Sequence, residues 1–204
     1  MNWESWAWVA VALASAPVAR LLESPLQSRW PSGAPFLRRL APWAYGIGPA
    51  YLALISGAVL ARAYGFYGRD GAAGWALSIL LCAALLLVVY RLRGSMSGLA
   101  LGQDLVPSLL DEPRWALYRA VGVQWLGTWG LLVGLAIGTI EWATRRQPWR
   151  SGGRGEPETW VSLARLCIST ILFVVTGNVW LTWATQATGW LILSRSAGEG
   201  ASEA

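Results

Sequence analysis

Long apolar blocks separated by polar segments set the pattern of this chain. A helix needs about 20 mainly apolar residues to cross a bilayer, and the blocks predict six such helices, over residues 6–22, 43–63, 75–90, 115–142, 161–175 and 179–194. The block at 75–90 is the clearest, because it holds no charged residue. The first block is preceded by Glu4 and by no basic residue, so it reads as a helix and not as a cleaved signal peptide. Residues 23–40, with Pro25, Pro31 and Pro35 among Arg29, Arg38 and Arg39, predict a polar linker. Gly46, Gly48 and Pro49 predict irregular first turns in the second helix. Residues 91–114 are too polar to cross and predict a loop with a short interfacial helix near 105–110.

The C-terminal third needs a length argument. Residues 161–194 as one helix would reach about 51 Å, well beyond a hydrocarbon core of roughly 30 Å. Thr176-Gly177-Asn178 lies in the middle as a turn signal, so two helices forming a hairpin are predicted; one kinked helix, giving five spans, is the alternative. The Arg-, Gly- and Pro-rich residues 144–159 predict an extramembrane loop, and the small polar residues 196–204 a disordered tail. The fold class that results is all-α: a polytopic transmembrane helix bundle forming a single membrane-embedded domain over 1–195.

Composition strengthens that reading. Of the 204 residues 55% are hydrophobic and only 13% charged, against the roughly 25% charged residues that clothe a soluble domain, and the mean hydropathy is +0.43. The chain has no His, which removes His-ligated metal sites and the Ser-His-Asp and Cys-His hydrolases. Two cysteines, Cys82 and Cys167, each in an apolar run, build no metal cluster. The net charge of +5 comes from Arg that lies mostly between the apolar blocks, where a membrane protein keeps its basic residues, so no nucleic-acid partner is expected. Those Arg divide almost evenly between the two sides of a six-helix arrangement, which leaves orientation unassigned. The fifteen Trp gather at proposed helix ends, among them Trp43, Trp75, Trp115, Trp142 and Trp160, and predict an aromatic belt at the headgroup level.

Several residues are candidates for packing or chemistry. Gly130, Gly134 and Gly138 recur every four residues and put a small-residue stripe on one face of the fourth helix, where another helix of this chain or of another subunit can approach closely. The same face continues to Glu141 and Arg145, a favourable i,i+4 pair at the membrane boundary. Asp111-Glu112-Pro113 before Trp115 predicts a helix start, and the two carboxylates could also share a proton or a metal. Arg119, Gln124 and Thr128 in the fourth helix, and Thr182 and Gln186 in the sixth, predict polar contacts between helices, while Arg165 in the fifth snorkels toward its end.

The C-terminal hairpin resembles the last motif of the CAAX-protease and bacteriocin-processing family of intramembrane metalloproteases. The resemblance rests on Thr176-Gly177-Asn178-Val179-Trp180-Leu181 with Gln186 six residues after Trp180, about 20 residues in all. It implies a polytopic fold, and it places Gln186 where the family carries a metal-binding His and Trp190 where it carries Asn. The family's Glu-Glu, three residues, then Arg motif has two partial counterparts. Ile140-Glu141-Trp142-Ala143-Thr144-Arg145 keeps the second Glu and the Arg, while Asp111-Glu112 keeps the acidic pair but has Ala116 where Arg should fall. With no His anywhere, the resemblance implies a catalytically silent relative.

The sequence therefore predicts a multi-pass protein of the cytoplasmic membrane with no confident catalytic residue, no metal and no cofactor. Its expected partners are the lipid bilayer and other membrane subunits or a second copy. A structural, assembly or accessory role is the leading expectation. An intramembrane protease using Glu141, Arg145, Asp111, Glu112 or Gln186, and a small transporter or lipid-binding protein built around Glu141, Gln124 and Gln186, are the alternatives.

Overall fold

The computed structural model describes residues 3–29, 34–66, 72–92, 105–146 and 157–202. Among the described residues it is all-α, 92% helical and without strands. In chain order the helices are α1 (Glu4–Arg29), α2 (Ala34–Ile55), α3 (Ala61–Tyr64), α4 (Ala72–Leu92), α5 (Leu105–Leu126), α6 (Gly130–Arg146), α7 (Pro157–Thr176) and α8 (Val179–Ser202), with a 3-10 turn at Gly127–Trp129. They form two compact units, one of Met1–Tyr64 with Leu110–Glu141, the other of Gly65–Leu109 with Trp142–Ala204.

In the first unit α1 packs on α2. Ser5, Val9 and Ala12 recur at helical spacing and are buried, and Trp125 donates its indole N–H to Ser5 Oγ at 3.2 Å while its ring meets Trp6 edge-on at 5.8 Å. The linker expected over 23–40 is largely helix, since α1 continues to Arg29 and α2 begins at Ala34. Pro35 falls in the first turn of α2, where a missing N–H forfeits no helix bond. Nor is α2 irregular at its glycines. Gly46 marks a close approach, because a Cβ there would lie 2.8 Å from Leu110 Cβ. The second predicted helix, expected to reach 63, ends at Ile55. Gly57 takes φ +73, and Ser56, Gly57 and Val59 give their N–H groups to the carbonyls of Leu52, Leu54 and Ala53, which satisfies the orphaned end of α2.

The largest departure is the fourth predicted helix. Residues 115–142 do not form one rod. Gly127 adopts φ +57, a left-handed conformation that stops a helix, and α6 doubles back along α5. A Cβ at Gly130 would strike the backbone of Gly122, and one at Gly134 would lie 2.7 Å from Arg119 Cα. In a straight helix residues 119 and 134 would stand about 22 Å apart. The stretch Leu110–Thr144 is, among the described residues, the one long and apolar enough to cross a membrane by length and composition, and it is this folded hairpin. The short interfacial helix expected near 105–110 is the beginning of α5.

In the second unit α4, α7 and α8 touch one another pairwise. Two helices, not one kinked rod, occupy 161–194. Gly177, at φ +60, donates to Phe173 O at 2.7 Å, and Asn178 Oδ1 caps α8 by accepting from Trp180 N at 2.9 Å and Leu181 N at 3.1 Å. Gly65 anchors its own segment on this turn, its carbonyl accepting from Val179 N at 3.1 Å. α8 runs on to Ser202, through the segment expected as a disordered tail. Both cysteines are free, Cys82 buried and Cys167 half-buried.

Beside an apolar core, the molecule buries charge and exposes large apolar side chains. Arg114, Arg119 and Glu112 are among the largest fully buried side chains, joined by Thr176, Asn178 and Thr182. Leu77, Ile79, Leu80, Leu87 and Val88 of α4 are exposed, as are Tyr51, Leu52 and Ile55 of α2. Trp3, Trp43, Trp75, Trp129 and Trp180 are exposed, but Trp115 and Trp142, expected in the aromatic belt, are buried. The side chain of Trp160 lies outside the described residues.

Candidate functional site

The buried charges converge in the first unit on one constellation, and the local sequence explains why. Asp111-Glu112-Pro113 does not start a helix. α5 begins at Leu105, so Pro107 occupies the first turn and Pro113 sits inside the helix. The helix-start signature read at Pro113 belongs to Pro107, one and a half turns earlier. Pro113 still costs α5 one backbone hydrogen bond. Its carbonyl receives the Tyr64 hydroxyl at 2.5 Å.

With α5 extended through this point, spacing does the pairing. Asp111 and Arg114 are three apart, hence neighbours on the helix surface, and Arg114 Nη2 donates directly to Asp111 Oδ1. Glu112 and Arg119 are seven apart, two turns along the same face, and Arg119 Nη2 donates to Glu112 Oε1 at 2.5 Å with both side chains almost wholly buried. The fold-back at Gly127 brings in the third acid, placing Arg114 Nε 3.5 Å from Glu141 Oε1 on α6. The Arg114 guanidinium also lies over the Tyr45 ring, 5.6 Å from its centre, a cation–π arrangement.

The glycine stripe and the charges are parts of one device. Gly134 faces the backbone of Arg119, and Gly130 faces Gly122. Only a residue without Cβ lets the two arms come this close, and the approach carries Glu141 to Arg114. Gly130, Gly134 and Gly138 are all buried. The helix that the stripe receives at Gly130 and Gly134 is α5 of the same chain.

Of the sequence-derived candidates, the structure thus brings Asp111, Glu112 and Glu141 together around Arg114 and Arg119. Arg145 lies in α6, outside the residues whose side chains are described. Gln186 belongs to the second unit, where its Oε1 accepts from Arg165 Nη2 at 3.3 Å. Gln124 donates to Ala58 O at 3.4 Å, while Thr128 is exposed in the 3-10 turn. Sequence reasoning missed Arg114, Tyr45 and Tyr64. The i,i+3 relation of Arg114 to Asp111 would have revealed the first of these had α5 been carried through Pro113.

Chemically the arrangement is one of charge neutralisation. Each of the three carboxylates faces a guanidinium, and hydrolysis needs an activated water. Among the described residues no three His, Cys, Asp or Glu side chains are grouped to hold a metal ion. No known family, curated protein or solved structure matches the chain.

Proposed function

We propose that this chain is an integral membrane protein that crosses the bilayer more than once and serves as a structural, assembly or accessory subunit without catalysis of its own. The observation that carries this reading is that Arg114, Arg119, Glu112 and Glu141 are buried while many large apolar side chains, among them Leu77, Ile79, Leu80, Leu87 and Trp129, are exposed. Water would favour the opposite arrangement. In hydrocarbon it is the stable one, since an intramembrane charge must face the protein interior and find a partner there. Helix lengths are compatible. α2, α4, α5 and α7 have 22, 21, 22 and 20 residues, about 30 Å or slightly more at 1.5 Å per residue. Their apolar cores, such as Trp43–Ile55 and Ser162–Thr176, are shorter than the helices that carry them.

The accessory role is favoured over a protease by what the acids do. Asp111, Glu112 and Glu141 are committed to arginines, and Gln186, at the position the protease family gives to a metal-binding His, hydrogen-bonds Arg165. Kinship with that family is therefore proposed only as that of a silent member.

The test has two parts. The chain should remain in the membrane fraction after alkaline carbonate washing; release into the wash would remove the membrane reading. Gentle extraction through a C-terminal tag should then yield a fixed-ratio partner chain or a self-associated complex. A lone monomer would count against the subunit role. Loss of processing of a membrane substrate in Glu141→Gln would restore the protease.

A further inference from the structure

The reversal at Gly127 decides which segments of the chain share a side of the bilayer. Each crossing helix carries the chain to the other side. The α5–α6 hairpin instead returns it to the side it entered from, whether or not its tip reaches the far surface. In the first unit that tip lies beside the start of α1 and the end of α2: Trp125 donates to Ser5 Oγ at 3.2 Å, and Gln124 to Ala58 O at 3.4 Å. In the second unit the α7–α8 turn lies beside the segment that leads into α4, because Val179 N donates to Gly65 O at 3.1 Å. Ala58 and Gly65 belong to one connection, between α2 and α4, and are seven residues apart. The start of α1, residues 56–66, the hairpin tip and the α7–α8 turn therefore share one side, and the other helix ends face the opposite one.

A straight helix over 115–142 gives a different partition. It would carry the chain across once and place the Gly177 turn on the side opposite to residues 56–66. The hydrogen bond from Val179 to Gly65 is incompatible with that path.

Arginine sorts sharply on the hairpin path, and the chain has no Lys to offset it. Arg20, Arg29, Arg38 and Arg39 flank the α1–α2 connection, and Arg91 and Arg93 lie at the end of α4. Arg145, Arg146, Arg150 and Arg154 fall between the end of α6 and the start of α7, and Arg195 lies toward the end of α8. These eleven share a side; the other has Arg62 and Arg69, while Arg114, Arg119 and Arg165 lie in the bodies of α5 and α7. Basic residues flanking membrane helices collect on the cytoplasmic side, where each gains about 1 kcal/mol near an anionic leaflet. Eleven against two sets an orientation that the even split of a six-helix path does not.

We propose that the chain lies in the membrane with its arginine-rich helix ends, including the end of α8, facing the cytoplasm, and with the start of α1, the α5–α6 tip and the α7–α8 turn on the opposite side. The proposal rests on the membrane reading above and adds the direction of insertion to it.

The experiment places single cysteines at Ser56, exposed just after α2, and at Ser202, the last residue of α8, in the full chain with Cys82 and Cys167 replaced by Ala. Each variant is treated with a membrane-impermeant maleimide in bacterial spheroplasts and in inverted vesicles made from them. Ser56→Cys should label in spheroplasts and Ser202→Cys in inverted vesicles, each by about tenfold or more over the opposite preparation, a ratio that 1.4 kcal/mol of bias already gives. Labelling of both from one side overturns the path and restores the straight helix. Labelling from opposite sides with Ser202→Cys reactive in spheroplasts overturns the orientation and leaves the hairpin. A fluorescent reporter fused after Ala204, of a kind that matures only in the cytoplasm, should be bright; a dark membrane-bound fusion overturns the orientation even where a cysteine variant fails to insert. Release of the unmodified chain by alkaline carbonate would instead remove the membrane reading beneath the proposal.

Discussion

At the scale of single residues, Arg119 and Glu112 set the energetics of the α5–α6 hairpin. Both side chains are fully buried, and a buried ion pair broken on one side leaves an uncompensated charge, at a cost of about 3–5 kcal/mol. Removing both partners together is often nearly neutral. Arg119→Leu and Glu112→Leu should each therefore lower the thermal midpoint in detergent sharply, and the double substitution should recover most of the loss. Additive losses would show that the pair is not coupled. Spacing within α5 made two of these partnerships legible in principle, Asp111 with Arg114 and Glu112 with Arg119. What hid them was Pro113, read as a helix start when the helix had begun two turns earlier. Glu141 meeting Arg114 was not legible, because it depends on a reversal between them.

At the scale of elements, the two reversals show why one turn could be read and the other could not. Thr176-Gly177-Asn178 joins a left-handed glycine to a capping Asn, each a local signal, and the 34 residues around it were too long for one span. Asn178→Ala should cost about 1 kcal/mol through loss of the α8 cap, measurable as a lower midpoint with helicity retained. Gly127 offers no such cluster: Leu126 and Thr128 flank it, no capping Asn follows, and the next glycines form a regular stripe. That stripe correctly signals close packing, but the packing partner is the preceding helix. Gly134→Leu would drive a side chain into the Arg119 backbone, since even a Cβ would lie 2.7 Å from its Cα. It should destabilise the hairpin by about 1–3 kcal/mol or more, and an unchanged midpoint would show that the arms do not touch there.

At the scale of the whole molecule, helix class was legible because apolar block length and the scarcity of charge depend on no tertiary contact. The path of the chain was not, since one glycine converts a straight rod into a hairpin. In a rod over 115–142, Thr128 would sit near the middle of the hydrocarbon. In the hairpin it is exposed at the tip beside exposed Trp129, a residue suited to the headgroup level. Thr128→Cys, in a background with Cys82 and Cys167 replaced by Ala, should react with a membrane-impermeant maleimide from one side in sealed vesicles, and protection from both sides would favour the rod. The contact of Gly122 with Gly130 also bears on biogenesis. α5 carries two arginines, Arg114 and Arg119, each paired within the same helix to Asp111 and Glu112, which offsets the cost of about 2.5–3.5 kcal/mol that an unpaired arginine meets at mid-membrane. Glu141, which meets Arg114, emerges from the ribosome only with α6. On the membrane reading proposed above, α5 therefore enters with its arginines already paired, and it is Glu141 on α6 that needs a partner waiting in Arg114.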